Sequence, residues 1–382
     1  MSVSFLGVGS FLTWNVALYL VIIIVETILS KNISSIIKNL KIIVSFASLS
    51  IFMGIVSLIN GVSIFKIGST LAYWALPTAF ILDKKSIKKP EVLALSFAFS
   101  IFISNLFAFS FIYILKKPIE FFSQYIPGAI QQFQFYGENN YRYAGLPGDA
   151  NHNGFNIVVS IILLIYCCTK SKRNIPFAII LGLPLIVFGL IGGSKAFAVL
   201  LALGIIILFG IFIRKTKYKI FAILVSTFLI CLGFVLILSV EAFSKTVLRF
   251  FSSDYREGFL EAVTTLRASI WSTQISELMK NPINFAFGNG FWATDEFGSA
   301  SHNAYLQSLL NLGMIGTMLY ILYVKNFVLK NKKNFIAIAF ILSFLIMSLS
   351  LHIIYDEIIT ISFFIIYKIS CENNNANFEI SI

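Results

Sequence analysis

The feature that most limits what this chain can fold into is its rhythm. Long apolar runs are separated by short connectors that alternate between basic and nearly uncharged. A helix crossing a bilayer needs about 20 apolar residues, because its backbone polar groups must be satisfied within the segment itself. Eleven runs approach that demand, at 11–29, 42–59, 67–82, 92–115, 154–168, 175–191, 196–213, 220–240, 304–324, 334–349 and 353–369. The shorter ones reach spanning length only if their ends continue into the flanking loops. The expected fold is therefore all-α: a polytopic integral membrane protein of about 11 transmembrane helices, forming a single membrane domain over 1–382.

Composition agrees. Of 382 residues, 58% are hydrophobic and 12% charged, where an ordinary globular domain has roughly 45–50% and about 25%. No soluble core accounts for that excess. The opening "MSVSFLGVGS" carries no positive charge, which argues against a secretory signal peptide. Cys167, Cys168, Cys231 and Cys371 all lie outside the two long loops described below, which excludes a structural disulfide there. No CxxC or HExxH spacing suggests a metal site, so none is expected.

The net charge of +12 is distributed in a way that argues against nucleic acid as a partner. Connectors 30–41, 83–91, 169–174, 214–219 and 325–333 carry 3, 4, 3, 4 and 4 Lys or Arg. The short connectors between them hold only Lys66 and Lys195. By the positive-inside rule the first set is cytoplasmic, which puts the N-terminus outside and the C-terminus inside. Two long loops, 116–153 and 241–303, then fall on the outer face with all three histidines. Long loops in a compact protein are usually functional. That side has no ATP, so a reaction there needs a substrate that arrives already activated.

Four constellations on the outer face carry chemistry. The first loop ends "YGENNYRYAGLPGDANHNGFN", a Gly/Pro turn followed by Asp149, Asn151, His152 and Asn153, which can cap a helix starting near Gly154. Arg142 is either a solvated cation or a bidentate grip on a phosphate. In "GGSKAF", Ser194 is a candidate N-cap and Lys195 lies in the first turn of the next helix. That is a ready phosphate site, or a lysine that snorkels to the interface. In the second loop Phe259, Val263, Leu266 and Ile270 recur at helical spacing, which reads as an amphipathic helix along the membrane surface, ending before Pro282. Arg267 sits beside that stripe, where it needs either a lipid phosphate or a substrate diphosphate. "FGNGFW" reads as a glycine turn bringing the chain back toward the bilayer.

The fourth is Ser301-His302-Asn303. Ser301 is expected to be the N-cap, with His302 in the first helical turn, kept neutral by the helix dipole and able to accept a hydroxyl proton. Gly313 and Gly316 below it read as a small-residue packing face. His352 lies four residues before Asp356 at the opening of the last run, as a supporting pair or a cap.

In this order, "YRYAGLPGDANHNG", "GGSKAFAVLLALG", "LRASIWSTQISELMKNPINFAFGNGF" and "SHNAYLQSLLNLGMIG" resemble the O-antigen polymerase and O-antigen ligase superfamily (Wzy/WaaL-type) of envelope glycosyltransferases. The resemblance covers parts of the C-terminal two-thirds and implies a GT-C-like, metal-independent enzyme without a cofactor. Its donor would be an undecaprenyl-diphosphate-linked glycan, transferred to a sugar hydroxyl at the outer face of the cytoplasmic membrane. It implies that Arg267 and Arg142 neutralise the leaving diphosphate and that His302 serves the acceptor hydroxyl. Lys195, Asn303, Asn151, Asp149 and His352 would contact or position substrate. Where many relatives have Arg after "GGS", this chain has Lys195, which keeps the charge but loses the fork. The resemblance also implies a chain-length regulator as a partner, besides membrane lipid. Polymerisation of repeat units is the favoured activity. Ligation of finished polymer to lipid A core uses the same parts, and a polysaccharide flippase would want charges buried mid-span.

Overall fold

The computed structural model describes residues 21–22, 37, 39–82, 89–110, 114, 133–135, 141–145, 149–194, 196–204, 267–291, 301–331, 335–349 and 351. Its helices are α1 Leu40–Ile59, α2 Ile64–Leu82, α3 Pro90–Phe109, α4 Ala150–Lys170, α5 Ile175–Ile191, α6 over 196–204, α7 Arg267–Lys280, α8 Pro282–Phe287, α9 Ala304–Asn331 and α10 Phe335–Met347. Five segments among the described residues are long and apolar enough to cross a membrane: α1, α3, α4, α5 with the 3-10 turn before it, and α9 to Asn326. The runs at 220–240 and 353–369, and all but two residues of 11–29, lie outside the described residues.

The helices have the surface expected of a chain solvated by lipid. On α1, Ile42, Leu49, Met53 and Val56 face the bundle, while Val44, Ile51, Ile55 and Leu58 are exposed. Both faces are apolar, where a soluble helix would be polar outside. At the centre stands α4, with 72% of its spanning window buried against 22% for α3. It packs on α3, α5 and α10, and α9 packs on α1, α8 and α10.

One element departs from the all-α expectation. Phe133–Phe135 (β1) and Tyr141–Tyr143 (β2) form a short antiparallel pair, with Gln134 opposite Arg142. The alternating aromatics of this stretch favour extended backbone, which a search for apolar runs does not detect.

Contacts between connectors sort as their charges do. At the basic end, the Cys167 thiol reaches the Glu91 carbonyl and Asn326 Nδ2 lies 3.4 Å from the Lys41 carbonyl. At the charge-poor end, Ser194 bonds Asn151, Phe291 N–H donates to Ser57, and Ala304 N–H donates to the Ser348 carbonyl. Each of these contacts joins regions that charge counting assigns to the same side.

The packing role expected of Gly313 holds only for Gly316, whose backbone lies against Phe52. Gly313 itself breaks α9, with φ 62° and ψ −173°, a conformation essentially reserved for glycine. The break leaves carbonyls of the preceding half-helix without helical partners. Residues 288–290 supply them: Asn289 N–H and Nδ2 donate to the Leu310 carbonyl, and Gly290 N–H donates to that of Asn311. Gly288 and Gly313 meet backbone to backbone, and a Cβ on either would overlap the other's main chain. The "FGNG" turn thus docks against the broken helix, in keeping with the return toward the bilayer expected for it.

Candidate functional site

Two segments converge at the charge-poor end. The first is the start of α4. Asp149 is its N-cap: the carboxylate accepts from Asn151 N–H at 2.8 Å and His152 N–H at 2.9 Å. The helix therefore begins at Ala150, four residues earlier than the Gly154 start expected, and this brings the short 154–168 run to spanning length. His152 then occupies the first turn, where the cap fixes its backbone.

The second is the entry to α9, where the expected cap is corrected. Asn303, not Ser301, is the N-cap, its Oδ1 accepting from Tyr305 N–H at 3.0 Å and Leu306 N–H at 3.2 Å. Ser301 lies two residues earlier, fully buried, and its hydroxyl bonds the Asn303 carbonyl and Gln307 Oε1. Gln307 in turn donates to Asn311 Oδ1 at 2.9 Å, extending a buried polar seam down α9. His302 is thus outside the helix, in a left-handed conformation with φ 48°, among the described residues the only non-glycine with positive φ. Such a backbone persists only where its surroundings hold it.

Neutral His302 remains the right expectation, but the cause differs from the helix dipole invoked for it. Burial is the largest effect lowering its pKa from the ordinary value. The charge of Arg267 lowers it next, Asp149 opposes, and His152 lowers it further.

Arg267 opens α7 and is half-buried, as are His302 and Trp271. Trp271, Gln274 and Leu278 continue the inward face, and Leu278 packs on Leu306 and Leu310 of α9 with Trp271 against them. This agrees with Arg267 lying beside the apolar stripe. Of that stripe, Phe259, Val263 and Leu266 fall outside the described residues. The helix stops at Lys280, and Asn281 caps α8 with Pro282 in its first position, as the proline requires.

The other candidates divide. Arg142 has its backbone in β2, two residues ahead of Ala144 and adjoining the buried Tyr143. Asn151 is 4% exposed and accepts from the Ser194 hydroxyl, so it ties the α5–α6 turn to α4. Ser194 also accepts from Phe197 N–H, which makes it the cap expected for α6. Lys195, His352 and Asp356 lie outside the described residues. Among the described residues no group of three His, Cys, Asp or Glu could hold a metal ion.

Sequence reading missed the scaffold beneath these residues. Asn105, deep in α3 and 1% exposed, exchanges amide bonds with Asn153 (2.8 and 3.1 Å), and the Tyr143 hydroxyl donates to the Asn105 carbonyl at 2.8 Å. Gly145, with φ 61°, leaves room for the Asn153 amide, which a Cβ would strike. A single asparagine within an apolar run was the available signal, since a polar group there needs a partner.

The structure ties α7, which Arg267 opens, to the turn that carries His302, and the charges of Arg267, Asp149 and His152 act on that imidazole. A neutral imidazole can accept a proton, and a guanidinium can stabilise an anion. No protein-family model matches the chain, and no curated protein matches it.

Proposed function

We propose that this protein is a metal-independent membrane glycosyltransferase that polymerises undecaprenyl-diphosphate-linked repeat units into surface polysaccharide at the outer face of the cytoplasmic membrane. On this reading the chain has eleven spans in a GT-C-like arrangement, with the charge-poor end outside. The observation that carries it is the tie between α7, which Arg267 opens, and the turn that holds His302: the Trp271 indole N–H donates to the Ser301 carbonyl at 2.7 Å.

The chemistry follows from those groups. A hydroxyl oxygen of the acceptor sugar attacks the anomeric carbon of the donor, and the bond from that carbon to the diphosphate oxygen breaks. The electron pair leaves with the lipid diphosphate, and the hydroxyl proton passes to the neutral His302 imidazole. Arg267, with Arg142 from the first loop, stabilises the charge that develops on the leaving group. Lys195 and His352 complete the anion and acceptor contacts, while Asp149 and Asn303 act through the backbone they cap and Asn151 through the Ser194 turn it ties to α4. Bilayer lipid and a chain-length regulator are the further partners on this reading.

The test is a gel of surface polysaccharide from a strain deleted for this gene. The ladder is expected to collapse to one repeat unit still attached to its anchor, and complementation with Arg267→Ala or His302→Ala is expected to leave it collapsed at normal membrane levels. Loss of all attached repeats with long lipid-linked polymer accumulating would make the protein a ligase. An unchanged ladder would remove the glycosyl-transfer reading.

A further inference from the structure

We infer that Trp271 is a positioning residue that holds His302 in register with Arg267, an inference that rests on the glycosyl-transfer reading for its kinetic consequences. Its indole N–H donates to the backbone carbonyl of Ser301 at 2.7 Å, directly ahead of the left-handed His302. Trp271 lies one helical turn after Arg267, on the same inward face. One side chain therefore connects the arginine helix to the residue whose backbone aims the imidazole.

The geometry explains why an indole suits this position. A left-handed non-glycine residue is unfavourable on its own and needs bonds on either side. After His302, Asn303 is committed as the cap of α9. Before it, the Ser301 hydroxyl is occupied with Asn303 and Gln307, and the Ser301 carbonyl is held by Trp271. The ring also packs with Leu278, Leu306 and Leu310, which keeps the N–H directed at one acceptor. A phenylalanine would preserve that packing and lose the bond. The carbonyl would then be free to rotate, and His302 with it.

The experiment replaces the indole N–H without changing shape, using benzothienylalanine introduced at position 271 by codon suppression, with Trp271→Phe as a second variant. Two readouts are taken on the full-length protein in membranes. The first is repeat-unit transfer, where kcat is expected to fall roughly tenfold or more with donor KM within about twofold, as for a small misplacement of a reacting group. The second needs no activity: the rate at which diethyl pyrocarbonate modifies His302, read by mass spectrometry, is expected to rise severalfold as the imidazole leaves its enclosed position.

Unchanged kcat with unchanged His302 reactivity in the isosteric variant would overturn the inference. So would a matched fall in protein level, kcat and His302 modification, which marks a packing role alone. A faster His302 modification in a protein whose deletion leaves the polysaccharide ladder intact would uphold the Trp271 link and sink the glycosyl-transfer reading.

Discussion

The two joints that bring loop segments onto the bundle are built on opposite plans. The first, Tyr143–Asn105–Asn153, is buried side-chain chemistry: two reciprocal amide bonds and a phenol, each group nearly inaccessible to solvent. The second, around α7 to α9, relies on backbone: Gly288 against Gly313, and loop N–H groups capping the half-helix ahead of the break. Side-chain joints tolerate adjustment, because rotamers can move. Backbone joints do not. His302, held in an unfavourable conformation, lies ahead of α9, and its turn is tied to α7 by the Trp271 indole.

Three experiments test that contrast. The largest effect is expected from Gly313→Ala, which puts a side chain into the Gly288 backbone at a φ/ψ reserved for glycine. A cost of about 3 kcal/mol or more is expected from clash and strain together, read as loss of folded protein on detergent extraction. Full retention of folded protein would mean that the break can be relieved elsewhere.

The middle effect concerns the amide joint. Asn153→Leu removes both reciprocal amide bonds from the buried Asn105, which keeps only the Ile101 carbonyl and the Tyr143 hydroxyl, at about 1–3 kcal/mol. The double variant Asn105→Leu, Asn153→Leu is expected to cost less than the sum of the singles, since neither amide is then stranded. Thermal denaturation of the four proteins measures the coupling. Additive costs would mean that the pair does not act as a unit.

Much of this was legible in the sequence, and particular residues show where legibility stopped. Connector charges anticipated which ends meet, Ser194 was recognisable as a cap, and the spacing around Arg267 set it beside the apolar stripe of its helix. Local patterns suffice for these, because a cap or a stripe is read within a few residues. Asn105 and Asn153 are 48 residues apart, and nothing local joins them. The same limit turned Gly313 from a break into an apparent packing residue: its partner Gly288 arrives from another segment. Between Ser301 and Asn303 both residues have capping chemistry, and the choice depended on Ser301 being drawn away by Gln307 and Trp271.

The smallest effect expected is electrostatic and concerns the α4 cap. Asp149→Asn keeps the α4 cap, since Asn and Asp are comparable there, but removes the negative charge that raises the His302 pKa against burial and Arg267. The His302 pKa should therefore fall further, and the acid limb of activity should move to lower pH. Following His302 modification by diethyl pyrocarbonate against pH checks the sign independently of turnover. A limb that moves upward would show that Asp149 does not face His302.

The meeting of Gly288 with Gly313 also bears on how the chain is assembled. The turn that caps the half-helix precedes that helix in the sequence, so it is synthesised first and waits for its partner. When the α9 segment enters the bilayer, the Leu310 and Asn311 carbonyls need hydrogen-bond donors that the α9 helix cannot give across the break. The donors that meet this need, at Asn289 and Gly290, have by then left the translation machinery. The order of the genetic message thus supplies the cap before the exposed carbonyls exist.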